Sequence, residues 1–463
     1  MILEPSVDGS WESAMEQEKK ETVMTQQEVM AYVEELGRYG VRPGLENMEN
    51  LMEKLGNPQK ELSFVHIAGT NGKGSVTAFL SEILRQAGYR TGRYISPAIF
   101  EYREEIQTGK RPISKKEICR KMTVMREICR ELVKEGKPHP TAFEVKTAMA
   151  LWHFREQKCE IVVLETGLGG LLDATNIITN TKLAVFVSIS LDHMAVLGKT
   201  LKEIAAQKAG IMKPGAVALA IKGEEEVMEV LKEKANSLQI PFILADPGKA
   251  CKRKSSLEKQ SFSYGEFRNL TISLLGTFQI ENAMLAVQAA LELRGLGYSI
   301  PERAIYQGLS DTVWPGRFQV LCRKPLFIAD GAHNRDAAGR LAQSLRFYFT
   351  NRRILYIIGM LRDKEQDEVL AVTCPLAAQI LTVPIRGERG CSSYELARRA
   401  EKYHPNVTAA DSVEEAVELA FLSAQEDTVI VAFGSLSYLG ALIKIVEKGY
   451  GPGRDLHGRY KKS

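Results

Sequence analysis

No run of about 18 consecutive apolar residues occurs in the chain, so the sequence offers no membrane-spanning helix. Nor is there an excess of one charge: 61 Lys and Arg face 57 Asp and Glu, spread along the chain, which excludes the concentrated basic footprint of a nucleic-acid binder. Short basic runs such as KSSLEKQ read as solvated surface. Seven cysteines, an odd number at 119, 129, 159, 251, 322, 374 and 391, contain no C-x-x-C pair. That is a reduced-thiol pattern, neither a disulfide framework nor a zinc site. Internal repeats and low-complexity tracts are also missing, and the opening stretch MILEPSVDGSWESAMEQEKKE is acidic without the apolar core of a secretory signal. A cytoplasmic protein is expected.

What is present is ordinary globular composition, 44% hydrophobic and 25% charged with 37 Gly and 17 Pro, over 463 residues. At about 100 to 200 residues per domain, that length implies two or three domains. Residues 1–23, polar and holding Pro5 and Gly9, read as an N-terminal extension; Met24 then opens MTQQEVMAYVEELGRYG, an amphipathic helix ended by glycine. From Glu61 to about Gly223, short Val- and Ile-rich runs alternate with helical periods, the sign of a mostly parallel, helix-covered sheet. Four runs, LSFVHIA (62–68), EIVVLE (160–165), KLAVFVSIS (182–190) and PLFIAD (325–330), each end in Gly or in ionisable residues. In open α/β sheets ligands bind outside the carboxyl ends of strands, so these ends are where a site is expected. After a helical stretch over 274–297, DTVWPGRFQV with Pro315 and Gly316 reads as a domain joint. A second strand and helix series follows, so residues 24–310 and 318–463 are expected to be separate α/β domains, and the tail GYGPGRDLHGRYKKS is expected to fray.

FVHIAGTNGKGSVTAFL (64–80) looks like a phosphate-binding loop, although the strict G-x-x-x-x-G-K-[ST] pattern fails at Ile67 and at Gly74. A buried-type strand precedes it. After it, Val76, Phe79, Leu80, Ile83, Leu84 and Ala87 recur at helical spacing until Gly88. A Gly-rich turn at a helix N-terminus presents free N–H groups and the positive dipole end to phosphate oxygens. Lys73 adds a cation and Ser75 a hydroxyl suited to Mg²⁺. The plain alternative is a tight strand-to-helix turn, which needs neither Lys nor Ser. Among other strand-end residues, Glu165 and His193 are hard-ligand and imidazole candidates, whereas Lys208 by composition alone would be a surface lysine.

GTNGKGS, with glycine inserted before the serine, resembles the ATP loop of the Mur-ligase superfamily, in the form found in folylpolyglutamate and dihydrofolate synthases. Further segments similar to that family run in its order from about residue 24 to 445: YISP, FEVKTAMA, VVLETGLGGLLDATN, LDHMAVLGKTLKEIAAQKAGIMKPG, LLGTFQIENA, WPGRFQV, FIADGAHN, GMLRDK and FGSLSYL. The resemblance implies an N-terminal P-loop ATPase domain with a mostly parallel sheet and a C-terminal Rossmann-like α/β domain closing over a cleft. It implies ATP, two Mg²⁺ ions and small-molecule substrates: L-glutamate with a folate or dihydropteroate, joined through an acyl phosphate by a monomeric enzyme without nucleic-acid or membrane partners.

By the same resemblance, Gly69, Thr70, Asn71, Gly72, Lys73, Gly74 and Ser75 hold the nucleotide, joined by Asn282, Arg317 and Asp330. Ser75, Ser96, Glu165 and His193 match metal-holding positions. Lys73, Lys208, Asp330 and His333 are the catalytic candidates, Lys208 as a carbamylated lysine, which requires a neutral amine and hence a lowered pKa. Asp173, Thr175 and Asn176 of the Gly-rich turn are further candidates, as is Gln279. Ala98, Glu105, Leu171 and Gln207 depart from the common family pattern, outside the phosphate and metal set. Two other readings stay open: a ligase for peptidoglycan precursors, and a nucleotide-binding regulator without catalysis.

Overall fold

The computed structural model describes residues 23–40 and 42–450. Of the expected N-terminal extension, residues 1–22 lie outside these, as does the tail from 451 onward. The chain forms two units. The first runs to Pro247 and takes in Leu285–Gly308; the second combines Gly248–Met284 with the chain from Leu309 onward.

The first unit is built on eight strands: β1 Phe64–Ala68, β2 Thr91–Tyr94, β3 Ile106–Thr108, β4 Arg111–Pro112, β5 Ile161–Glu165, β6 Thr181–Phe186, β7 Val217–Ile221 and β8 Phe242–Ala245. They lie in the order β4-β3-β2-β5-β1-β6-β7-β8. From β2 to β8 every neighbouring pair is parallel, and β3 alone runs against the rest, antiparallel to both β2 and β4. β1, β5 and β7 are buried along their whole length, which is why they read as unbroken apolar runs rather than alternating ones. Helices Gln26–Gly37, Glu46–Lys54, Lys115–Lys134 and Ala142–Glu156 supply Val29, Leu51, Met122 and Leu151 to a core that also holds Phe64, Val162 and Leu164. Leu201–Ala209 and Glu225–Ser237 pack through Ala205 and Leu231 on Ala184, Phe186 and Ala218. The chain passes from β1 to β2 on one side and later to β6 on the other, so the order reverses at β1, where such sheets open a crevice.

The second unit holds two sheets. β9 Cys251–Ser255, β10 Gln260–Tyr264 and β11 Phe267–Ile272 form an antiparallel sheet in the order β11-β10-β9. β12 Gln319–Arg323, β13 Leu326–Ala329, β14 Ile354–Ile358, β15 Gln379–Thr382, β16 Val407–Ala409 and β17 Val429–Phe433 lie in the order β12-β13-β17-β14-β15-β16, parallel except for β12.

The contact pattern therefore divides the chain differently from the expected 24–310 and 318–463. Residues 248–284 group with the second unit because their side chains are satisfied there. Leu275 is buried in the core with Phe318, Ile328 and Tyr356, and Leu257 packs against it. Ser273 donates to the Thr312 carbonyl at 2.7 Å, and Arg340 pairs with Glu281 at 3.2 Å. The helix expected over 274–297 begins only at Gln279 and ends at Gly295. The seven cysteines are free thiols, five of them buried. Among the described residues no helix is long and apolar enough to cross a membrane.

Candidate active site

The phosphate loop joins β1 to the helix Lys73–Gln86, as the sequence indicates. Two glycines make its shape possible. Gly69 has φ +149°, and a Cβ there would stand 2.1 Å from Val187 Cγ2; Gly72, which precedes the helix, has φ +100°. Residues just past β6 brace the loop. The Thr70 amide donates to the Ser188 carbonyl at 2.7 Å, the Thr70 hydroxyl to the Ser190 carbonyl at 3.1 Å, and the Ser188 hydroxyl to the Asn71 carbonyl at 3.0 Å. Ser75 is buried in the first turn of the helix.

Two lysines meet at this loop. Lys73 Nζ donates to the Gly69 carbonyl at 3.1 Å and to that of Thr70 at 3.3 Å. Lys208, on the helix Leu201–Ala209, reaches the same Gly69 carbonyl at 2.9 Å and is 4% exposed. Burial, and then the charge of Lys73, brings the Lys208 pKa down from 10.5 to about 7, against the opposing pull of Asp192 and Asp173. A long side chain that composition would place in solvent is thus held inside, with its charged form disfavoured.

The Gly-rich turn after β5 explains how the Lys208 helix comes so near. A Cβ on Gly170 would lie 2.8 Å from the carbonyl oxygens of both Gln207 and Lys208, and one on Gly210 would lie 2.4 Å from Leu171 Cα. With hydrogen at both positions the backbones touch, and the Leu171 amide donates to the Gln207 carbonyl at 2.7 Å. Asn176 Nδ2 adds bonds to the carbonyls of Leu171 at 2.9 Å and Gly210 at 3.2 Å. Asp173 accepts from the Leu168 amide at 2.6 Å and the Thr175 amide at 3.0 Å, and the Thr175 hydroxyl lies 2.8 Å from His66 Nε2 on β1. The turn is therefore tied both to the Lys208 helix and to the strand that carries the phosphate loop.

Strand order sets the remaining first-unit candidates along one edge. Ser96 follows β2, Glu165 ends β5, the loop follows β1 and His193 follows β6, and these four strands are consecutive in the sheet. Glu165 is buried, whereas the His193 side chain is 40% exposed, with φ +52° and Nε2 3.8 Å from Asp192 Oδ1. No group of three or more His, Cys, Asp or Glu side chains that could hold a metal gathers among the described residues. A set of two hydroxyls, one carboxylate and one imidazole suits a hard cation that keeps water and phosphate oxygens as its other ligands. Of the departures from the family pattern, Glu105 is buried and paired with Lys146 at 2.6 Å, while Leu171 is 44% exposed.

The second unit brings Arg317, Asp330 and His333 together. Asp330 is buried and accepts from the Phe318 amide at 2.8 Å and the Ala332 amide at 2.9 Å. Burial raises its pKa, and the Arg317 guanidinium opposes that rise. Gly331 makes room for this arginine, because a Cβ there would stand 1.9 Å from Arg317 Nη1. His333 Nδ1 lies 2.8 Å from the Gly331 carbonyl, and Asn282 Nδ2 donates to Gln279 Oε1 at 3.0 Å.

Residues 67–290 match the Mur ligase middle domain and residues 316–436 the Mur ligase glutamate ligase domain. The dihydrofolate synthase/folylpolyglutamate synthase of Bacillus subtilis is 36% identical over 341 residues, covering 72% of this chain and 79% of its relative. The chain belongs to the dihydrofolate synthase/folylpolyglutamate synthase family of Mur ligases. Its class of chemistry is ATP-dependent amide-bond formation. Among solved members of this family, the folylpolyglutamate synthase of Thermotoga maritima superposes with a TM-score of 0.79 at 33% identity, over 91% of this chain and 97% of that one. The Mycobacterium tuberculosis folylpolyglutamate synthase, solved with ADP and AMPPCP, gives 0.82 at 29% identity over 92% and 99%. Sequence reasoning does not point to Ser188 and Ser190 as braces of the Gly69–Ser75 loop, or to His66 as the anchor of the Gly-rich turn. A hydroxyl directly after an apolar strand is the available signal for Ser188, whereas Ser190 acts through its backbone and gives none. For His66, buried in mid-strand, there is none.

Proposed function

We propose that the protein uses ATP to join L-glutamate to the carboxylate of a folate, or of dihydropteroate, through an acyl phosphate, releasing ADP and phosphate. The observation that carries this reading is the convergence of Lys73 and Lys208 on the Gly69 carbonyl, inside the phosphate loop of a chain whose relatives are named for this ligation. A carboxylate acylates poorly because its leaving group would be oxide, and phosphorylation replaces that with phosphate. In the resting loop Lys73 caps carbonyls of its own turn. Arriving phosphates would draw its ammonium onto the β- and γ-oxygens, where it neutralises charge that builds on the transferring group, while loop N–H groups position it.

Ser75, Ser96, Glu165 and His193 fit two Mg²⁺ ions by donor chemistry. Bound there, the metal would supply further charge neutralisation at the γ-phosphoryl group. The buried amine of Lys208, its pKa lowered to about 7, fits carbamylation, in which the neutral form adds CO₂ and releases a proton to give an anionic group beside the loop. Arg317, Asp330 and His333 are the second unit's candidates for contact with the nucleotide and the reacting groups.

The test is ADP release by the purified protein with MgATP and L-glutamate, supplied with tetrahydrofolate, with dihydropteroate, or with peptidoglycan precursors. Turnover that needs both glutamate and a pteroate-type acceptor supports the proposal. Turnover on a peptidoglycan precursor alone, or ATP binding without any turnover, overturns it.

A further inference from the structure

A groove of about 630 Å³ opens at the end of the first unit's sheet opposite the phosphate loop. It lies where the helix Lys73–Gln86 ends and β2 begins, beside the β3–β4 turn. That helix has 14 residues and starts at the loop, so at 1.5 Å per residue it sets the two places roughly 20 Å apart. Neither the ligase chemistry nor the family comparison accounts for the groove.

Its lining is basic. Arg85, Arg90, Lys110 and Arg111 face one carboxylate, Glu117, among the lining residues. Beneath them Glu82 is shared by two of these cations, lying 2.6 Å from Arg85 and 3.1 Å from Lys110. Glu117 is itself held by Arg120 at 2.9 Å. Even with Glu82 counted, cations outnumber carboxylates in this one groove by two, in a chain whose total excess is +4. Such a local excess repels itself unless an anion offsets it.

The wall also includes a buried histidine. His153 lines the same groove, is 4% exposed, and has a buried Nδ1 without any hydrogen-bond partner; its Nε2 is 3.5 Å from Thr108 Oγ1. Nδ1 has almost no accessible surface even with the groove open, so the ring contributes to the wall and no ligand contact is assigned to it.

We propose that this groove is a binding site for a small, flexible polyanion carrying two or more carboxylates or phosphates. Guanidinium groups grip either anion through paired N–H bonds, and several separated cations select a ligand with several charged ends. A volume of this size suits an extended molecule better than a single phosphate ion.

The probes are tripolyphosphate and a γ-linked tetraglutamate, titrated calorimetrically at low salt into the full chain and into its Lys73→Ala variant, which weakens competition from the phosphate loop. Expected is one site with a dissociation constant below roughly 1 mM for at least one probe, retained in Lys73→Ala. It should weaken at least ~10-fold in Lys110→Gln/Arg111→Gln, substitutions on an exposed turn, and again in Arg90→Gln should the double variant not fold. The probe that binds identifies phosphate or carboxylate as the charge recognised. Absence of binding by both probes overturns the proposal, as does affinity unchanged by the groove substitutions. ADP release is not the readout, so the result is independent of the proposed ligation.

Discussion

Replacing Lys208 by methionine removes a buried amine whose pKa falls from 10.5 to about 7 through burial and the nearby charge of Lys73. Between those values the unfolded chain holds a proton on this side chain and the folded chain does not. Linkage then requires stability to rise with pH across that window. For one proton the slope is about 1.4 kcal/mol per pH unit, so the whole span corresponds to roughly 5 kcal/mol. Methionine has a similar shape and carries no such cost. Lys208→Met should therefore exceed the parent in stability by the widest margin at pH 7 and below, and that margin should shrink by about 1.4 kcal/mol per unit as pH climbs toward 10.5. Urea unfolding of both proteins from pH 7 to 9.5, in CO₂-free buffer so that no carbamate forms, measures it, because titrations common to both cancel in the difference. Parallel pH profiles would refute the reasoning. The gain in stability should accompany a loss of turnover, and in Lys208→Ala short carboxylic acids should restore part of that turnover by standing in for the carbamate.

Lys73→Ala should lower kcat at least ~100-fold in the ADP-release assay, since a fixed charge aimed at the transferring group is removed; near-full activity would take Lys73 out of the mechanism. Gly170→Ala puts a methyl 2.8 Å from two carbonyls of the Lys208 helix and should reduce kcat more than ~10-fold with a lower Tm, whereas Gly37→Ala, with nothing within 4 Å, should change neither. Asp330→Ala loses two bonds from backbone amides to a carboxylate and should destabilise by about 3 kcal/mol; kcat per folded molecule, measured beside Tm, should fall as well, and an unchanged value would leave Asp330 a purely structural role.

Legibility in the sequence followed locality. β1, β5, β6 and β13 are legible as short apolar runs ending in Gly or ionisable residues, and the loop between β1 and its helix is readable from glycine, lysine and serine within seven residues. β9 is not legible because its residues, CKRKS, are largely exposed and carry no apolar alternation, and the packing of residues 248–284 with the chain from Leu309 onward is not legible either. Lys208 was recoverable only through family resemblance. Its burial depends on Gly170 and Gly210 letting two backbones touch, and no periodicity in its own helix encodes that. The bond between His66 and Thr175 joins residues 109 positions apart, beyond the reach of any local pattern.

The divided membership of the second unit also has a consequence during synthesis. Residues 248–284 leave the ribosome before the segment 309–450 that completes their core, and the stretch between, 285–308, belongs to the other unit. At about 5 to 20 residues per second, translating that later segment takes on the order of 10 to 30 s. Throughout that delay Leu257 and Leu275 wait without the core that later covers them. The first unit can finish folding as soon as 285–308 emerges, while Leu257 and Leu275 still lack their core. Ribosome-bound chains stopped between residues 310 and 400 are accordingly where chaperone capture or aggregation of the nascent protein should be greatest.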